Sequence, residues 1–351
     1  MEPTMKYRLL GNTGLYVSEM CLGTMTFGSD GFWKVMGGLG QQPVNDLVKA
    51  AFDAGVNFID TANVYSLGQS ERLLGTALKE LGLPRDELVI ATKATAVMKE
   101  ATANGRGQSR FHLMNEVDAS LKRLQLDHID LYQLHAVDTL TPVEESLCAL
   151  NDLVRSGKVR YIGVSNWAAW QIMKALAVSD AHDWAKFVSL QAYYTIAGRD
   201  LEREVIPLLK DQKVGLMVWS PLAGGLLTGK FSPDGKGPDD SRRSSFDFPI
   251  VDKPRAFACV EAMRPIAAKH GVSVARVALA WLLAQPAVST VIVGAKTVAQ
   301  LQDNLAASDV TLDADDLAAL DQVSRLPPEY PGWMIEYQSK YRAAAPVLPP
   351  R

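Results

Sequence analysis

Val56-Asn57-Phe58-Ile59-Asp60, then a loop, then Ser70 to Leu81 with apolar residues at helical spacing, is the stretch that decides the fold. An apolar run that ends in a polar residue reads as a buried strand, and the segment after it as an amphipathic helix. The unit recurs. Strand-like runs span Glu19 to Gly23, Val56 to Asp60, Leu88 to Lys93, Ile129 to His135, Val159 to Ser165, Phe187 to Gln191, Gly215 to Ser220 and Thr290 to Gly294. Helical segments span Val44 to Ala54, Ser70 to Leu81, Ser109 to Leu124, Pro142 to Ser156, Ala168 to Ser179, part of Leu201 to Gln212, Ala256 to Lys269 and Thr297 to Ala306. Alternation of this kind demands parallel strands joined by crossover helices. Eight units predict an α/β protein of the (β/α)8 TIM barrel type. An open doubly wound sheet would carry a Gly-rich fingerprint at its first turn, and no GxGxxG occurs.

Outside the repeat, Tyr7 to Cys21 reads as a β-hairpin turning at Gly11-Asn12-Thr13-Gly14, and Ser273 to Ala284 and Ala314 to Ser324 as extra helices, the last of them C-terminal to the barrel. Thr228 to Pro254 and Pro327 to Arg351 lack periodicity and read as long loops, of the kind that serve as lids or frayed ends. The expected organisation is one barrel domain over residues 1–351, with 327–351 as a substrate loop and tail whose end, Ala343 to Arg351, is mobile. The chain has 351 residues, 48% of them hydrophobic, enough for a large core. With 36 basic and 39 acidic residues its net charge is -3, which gives no field for nucleic acid or anionic lipid. Cys21, Cys148 and Cys259 are too scattered for a disulfide framework and read as reduced thiols. Met1 to Lys6 carries no apolar stretch, and the expected compartment is the cytoplasm.

Three familiar signatures fail. Gly224 to Lys230 spells most of a P-loop, but Phe231 stands where a magnesium-binding Ser or Thr is needed. Gly163-Val164-Ser165-Asn166-Trp167 lacks the final Gly of a nucleophile elbow. His128 and His135 lie on opposite faces of one strand, so no metal is expected.

In a parallel barrel the chemistry sits at the carboxyl ends of the strands. Three successive runs end in Asp60, Lys93 and His135, and Tyr65 follows Asp60 in the next loop. A phenol beside an ammonium is a proton donor whose phenolate is stabilised. Asp60 would hold Lys93, and His135 would orient a substrate oxygen toward Tyr65. No nucleophile or second free carboxylate accompanies them, which points to protonation of an oxygen whose carbon receives a hydride from a cofactor.

At these residues the chain resembles the aldo-keto reductase superfamily, most of all the bacterial members related to potassium-channel β subunits. The motifs are Asn57 to Tyr65 with Gly68-Gln69-Ser70-Glu71, Ile129 to His135, Gly157 to Asn166 and Trp219 to Lys230. The resemblance implies a catalytic tetrad of Asp60, Tyr65, Lys93 and His135. It also implies an extended nicotinamide cofactor, NADPH before NADH. Its carboxamide would be held by Ser165, Asn166 and Gln191 and its ring stacked on Trp219, with Gly23, Thr24, Met25 and Asp60 nearby. Ser220, Pro221, Leu222, Gly224 and Lys230 would take the pyrophosphate. Gly294, Lys296, Gln300, Asp303 and Asn304 would grip the adenosine, Lys296 with Arg242 or Arg243 on the 2′-phosphate. Gln300 and Asn304 share a helical face.

The substrate mouth would be lined by Met25, Phe27, Trp33, Tyr65, His135, Trp167 and Tyr194, with Trp333, Met334 and Tyr337 of the tail closing over it, while Trp170 packs under loops. Such a cleft takes hydrophobic or bulky carbonyls, or the matching alcohols in reverse. Gly28 to Gln42 departs from the pattern of relatives. A rival reading is a nicotinamide-binding regulatory or scaffold protein; the complete tetrad favours the enzyme.

Overall fold

A computed structural model describes residues 5–98, 102–232, 237, 243 and 246–343. Its eight parallel strands are β3 (Met20–Gly23), β4 (Phe58–Asp60), β5 (Val89–Ala94), β6 (Ile129–Leu134), β7 (Val159–Ser165), β8 (Phe187–Tyr193), β9 (Gly215–Trp219) and β10 (Val288–Val293). They close in the order β10-β3-β4-β5-β6-β7-β8-β9, so every run read as a strand is one and the barrel is a (β/α)8 TIM barrel. β1 (Tyr7–Leu9) and β2 (Tyr16–Ser18) pair antiparallel, as the hairpin reading expects.

Alternation along each strand divides the apolar residues between two cores. Outward side chains meet the helices in the larger one. Inside the barrel Cys21, Phe58, Val89, Ala91, Leu131, Met217 and Ile292 form a smaller one, joined from below by Leu10 and Val17 of the hairpin. Gly11 makes that closure possible: its φ of +59° suits glycine, and a Cβ there would run into the backbone of Val188 and Gly215. With the floor plugged, the carboxyl ends of the strands form the open end.

The surrounding helices are α1 (Gln41–Asp53), α2 (Gln69–Glu80), α3 (Arg110–Leu124), α4 (Val143–Arg155), α5 (Ala169–His182), α6 (Val205–Gln212), α7 (Lys253–His270), α8 (Val274–Leu283), α9 (Val298–Leu305), α10 (Ala314–Ser324) and α11 (Gly332–Ala343). Among the described residues no single helix is long and apolar enough to cross a membrane.

α11 corrects the reading of residues 327–351 as a loop without secondary structure. No apolar stripe marks it because no face of it is buried: Trp333, Ile335, Tyr337 and Tyr341 are all exposed. Its entry is fixed instead by the Trp333 N–H donating to Glu329 O and by the ion pair of Arg203 with Glu329. Trp170 also differs from expectation, standing 68% exposed on α5. Residues 344–351 lie outside the described residues.

Candidate active site

Above the apolar floor of the barrel lies one polar layer. Asp60 ends β4, and its Oδ2 accepts from Lys93 Nζ of β5 at 2.6 Å. Lys93 Nζ also donates to Thr61 O at 2.8 Å and lies 3.3 Å from the Tyr65 hydroxyl. The other carboxylate oxygen, Oδ1, accepts from Gln133 Nε2 of β6 at 3.0 Å and Gln191 Nε2 of β8 at 2.9 Å. Lys93 and Gln133 are fully buried.

Gln133 was not singled out from the sequence, although a signal existed. Leu131, Gln133 and His135 share one face of the strand, and a polar residue between them in an apolar run marks a polar layer inside the barrel.

Tyr65 opens a tight turn in which Ser66 and Leu67 have φ of 48° and 50° and Gly68 has 88°. A buried network holds that turn, which explains the spacing of Gly68-Gln69-Ser70-Glu71. Ser70 Oγ reaches Thr24 Oγ1, Thr24 O and Thr61 Oγ1, tying α2 to the ends of β3 and β4. Glu71 accepts from Thr92 Oγ1 at 2.6 Å and pairs with Arg123, which also reaches Glu116; Glu116 in turn accepts from Asn63. Gly68 leaves room for that guanidinium, since a Cβ there would lie 2.6 Å from Arg123 Cδ.

The charges follow from this packing. Burial works against the Lys93 ammonium, but Asp60 and Tyr65 outweigh it and hold its pKa above the ordinary value. For Tyr65 burial is the largest influence and raises its pKa, with Asp60 adding to the rise; Lys93 pulls the other way without prevailing. Tyr65 is thus held as the phenol, the form a proton donor needs, with the Lys93 ammonium beside it to favour the phenolate as it forms. His135 meets Tyr65 edge-on at 5.8 Å. Burial and the Lys93 charge push its pKa down to about 3, so the imidazole is neutral. Its Nδ1 is buried without a protein partner, while its backbone is fixed to Ala94 O, Thr95 Oγ1 and Asn166 Nδ2.

Around this centre, the Trp219 indole N–H donates to Asn166 Oδ1 at 3.0 Å, and its ring lies 5.2 Å from Tyr193 and 5.9 Å from a nearly parallel Phe248. Ser165 and Gln191 are buried, on adjacent strands. Ser220, Ala223, Gly224 and Gly225 all have positive φ, and the Gly224 N–H donates to Ser220 Oγ; Pro221 and Leu222 complete the turn. Within the turn the Ala223 N–H donates to Ser220 O and the Gly225 N–H to Leu222 O, which fixes its shape.

Gly23 and Thr24 are buried, Met25 half-buried and Gly294 exposed. Lys230, Lys296 and Gln300 are exposed, and Gln300 Oε1 accepts from the Lys296 N–H. Asp303 takes Arg276 at 2.8 Å and Ser273, while Asn304 is half-buried one residue on. In donor chemistry the set fits the implied nicotinamide cofactor: an indole bonded to the exposed Asn166 amide, the buried Ser165 and Gln191, exposed ammonium groups, and an imidazole nitrogen, His135 Nδ1, buried without a protein partner.

Arg243 corrects an expectation. Its guanidinium is buried, donating to Ala223 O and Pro249 O and pairing with Asp247, so it anchors the long loop and is not available to a phosphate. Arg242 lies outside the described residues.

On the substrate side, Trp33 is brought to 5.3 Å from Tyr65. It rides on a loop closed at its base by the Gly28 N–H to Leu39 O and pinned by the Ser29 N–H to Gln69. Phe27 is fully buried in the outer core. Trp167 is buried with its N–H on Ala136 O and its ring against Phe187. Tyr194 is buried with its hydroxyl on Glu202. Trp333 pairs with Tyr330, whereas the ring partners of Tyr65 are Trp33 and His135.

Comparison with known proteins agrees with this picture. The family model described as Aldo/keto reductase family matches residues 19–325. An uncharacterized oxidoreductase of Bacillus subtilis is 37% identical over 91% of this chain and 96% of its own length. A putative aryl-alcohol dehydrogenase of Schizosaccharomyces pombe is 35% identical over 90% and 95%. A probable voltage-gated potassium channel subunit beta of Arabidopsis thaliana is 36% identical over 93% and 99%.

Proposed function

The chain belongs to the aldo/keto reductase family, and from that premise we propose that it is an NADPH-dependent oxidoreductase that reduces aldehydes or ketones to alcohols with Tyr65 as general acid. The observation that carries the reading is the chain of contacts Asp60–Lys93–Tyr65, with a neutral His135 at the edge of the phenol. When bound, the reduced nicotinamide supplies the hydride; Trp219, Ser165, Asn166 and Gln191 would hold its head, the turn at Ser220–Gly225 its pyrophosphate, and Lys296 its 2′-phosphate.

Tyr65 is protonated at rest and donates to the carbonyl oxygen as that oxygen gains charge. Lys93, 3.3 Å away, stabilises the phenolate left behind, an interaction that strengthens only as the negative charge develops. His135 hydrogen-bonds the same oxygen and fixes its direction toward the phenol. Asp60 keeps Lys93 charged and aimed. Trp33, 5.3 Å from Tyr65, offers an apolar wall, which suits a flat or bulky hydrophobic carbonyl; the relative named as an aryl-alcohol dehydrogenase supports that class. The near-neutral charge and reduced thiols suit a cytoplasmic enzyme acting on small molecules.

The channel-subunit relative favours a second reading, a nicotinamide-binding regulatory protein. One experiment separates the two: titration with NADPH and NADH by tryptophan fluorescence, then addition of aromatic and aliphatic aldehydes and ketones while nicotinamide absorbance is followed. The enzyme reading expects tighter NADPH binding and oxidation by aromatic aldehydes. Binding without oxidation across the panel supports the regulatory reading, and absence of binding removes both.

A further inference from the structure

We infer that Gln133 is a positioning residue, the keystone of an amide bridge across the barrel that fixes the orientation of Asp60 and through it the aim of Lys93 at Tyr65. The inference rests on the reductase reading for its consequence in catalysis, but its geometry stands independently. Asp60 divides its acceptors: Oδ2 serves Lys93, while Oδ1 takes one amide hydrogen bond from β6 and one from β8. The two amides are themselves linked, Gln191 Nε2 lying 3.3 Å from Gln133 Oε1. Gln133 therefore has its amide orientation set at both ends.

The strand between them clears the way. On β7 the residue at this level is Gly163, and a Cβ there would lie 2.5 Å from Ser189 Oγ and 3.4 Å from Gln133 Cγ. A larger residue on β7 would collide with Ser189 and close the space beside Gln133. The arrangement matters because a carboxylate with a single partner is free to rotate, whereas Asp60 is held by Lys93 on one oxygen and by two N–H donors on the other. Lys93 has no other carboxylate in contact among the described residues, so a swing of Asp60 would release the ammonium from its place beside Tyr65.

Two variants test this. Gln133→Met keeps the length and removes the donor. Gln133→Glu keeps the shape, donates to Asp60 when neutral, and faces it charge against charge when ionised. Burial beside a carboxylate raises the pKa of a Glu at 133, so the stability it contributes is present at low pH and lost as pH rises through that pKa. The first readout needs no activity: melting temperatures of the cofactor-free proteins between pH 5 and 8. Gln133→Glu should fall with rising pH relative to Gln133→Met and wild type, and parallel curves would overturn the bridge.

The second readout is steady-state carbonyl reduction over the same range. Gln133→Met should lose about 10- to 100-fold in kcat at every pH, with KM and NADPH affinity little changed. Gln133→Glu should approach wild type at pH 5 and lose activity through one ionisation. A Gln133→Met enzyme within about twofold of wild type would overturn the positioning role. Should wild type itself reduce no carbonyl, the reductase reading fails while the melting curves still decide the bridge.

Discussion

Removing the Lys93 ammonium tests how the buried pair is built. Lys93 is fully buried and 2.6 Å from Asp60, and at an effective dielectric of about 20 such a separation corresponds to about 6 kcal/mol of attraction. Desolvation of both ions cancels much of it, yet breaking such a pair from one side typically costs about 3–5 kcal/mol because a charge is stranded. In Lys93→Met, Asp60 keeps its two amide donors, which places the expected loss near the lower end, about 3 kcal/mol. In Asp60→Asn, Lys93 keeps Thr61 O, and the loss should be similar, about 3 kcal/mol. The double variant strands no charge and should cost only about 1–2 kcal/mol in place of the sum of about 6. Equilibrium urea unfolding at pH 7 without cofactor measures all four proteins. Additivity within about 0.5 kcal/mol would refute the claim that these two groups are held as a mutually dependent ion pair.

Other outcomes follow from the same geometry. With His135 held neutral down to about pH 3, kcat/KM for carbonyl reduction should show no histidine limb between pH 5 and 8, and a limb near pH 6.5 would contradict its assigned state. Lys296→Ala should weaken NADPH binding about 10-fold or more and leave NADH nearly unchanged, as read by fluorescence titration; equal loss for both would remove the phosphate contact. In Asp316, burial opposes ionisation, but hydrogen bonds from Lys269, His270 and the Asp313 backbone hold the pKa at about 2. Its contribution to stability is therefore present above about pH 4 and lost as pH falls toward 2. Asp316→Asn should melt below wild type at pH 5 and converge with it near pH 2; a constant gap would refute the linkage.

The barrel was legible because every strand of it is an apolar run followed by a helical segment, and the fold brings the ends of those runs, Asp60, Lys93 and His135 among them, out on one rim. Asp60, Lys93 and Tyr65 could be paired from sequence for that reason. The sign of the Tyr65 shift could not: it depends on how completely the phenol is buried, and burial outweighs the neighbouring ammonium. Arg243 looked like a phosphate ligand, yet three partners on its own loop and turn hold its guanidinium buried. Phe27 and Trp167 carry the composition of a mouth and the packing of a core, a difference that only the path of the loops decides. α11 escaped notice because an exposed helix leaves no periodic apolar stripe.

The most direct test of the central claim is Tyr65→Phe, measured for NADPH affinity by fluorescence and for oxidation of NADPH by an aromatic aldehyde that the wild type reduces. Loss of at least about 100-fold in kcat with NADPH affinity unchanged is the result expected of a general acid. Turnover within a few-fold of wild type would contradict the assignment of Tyr65 as the proton donor.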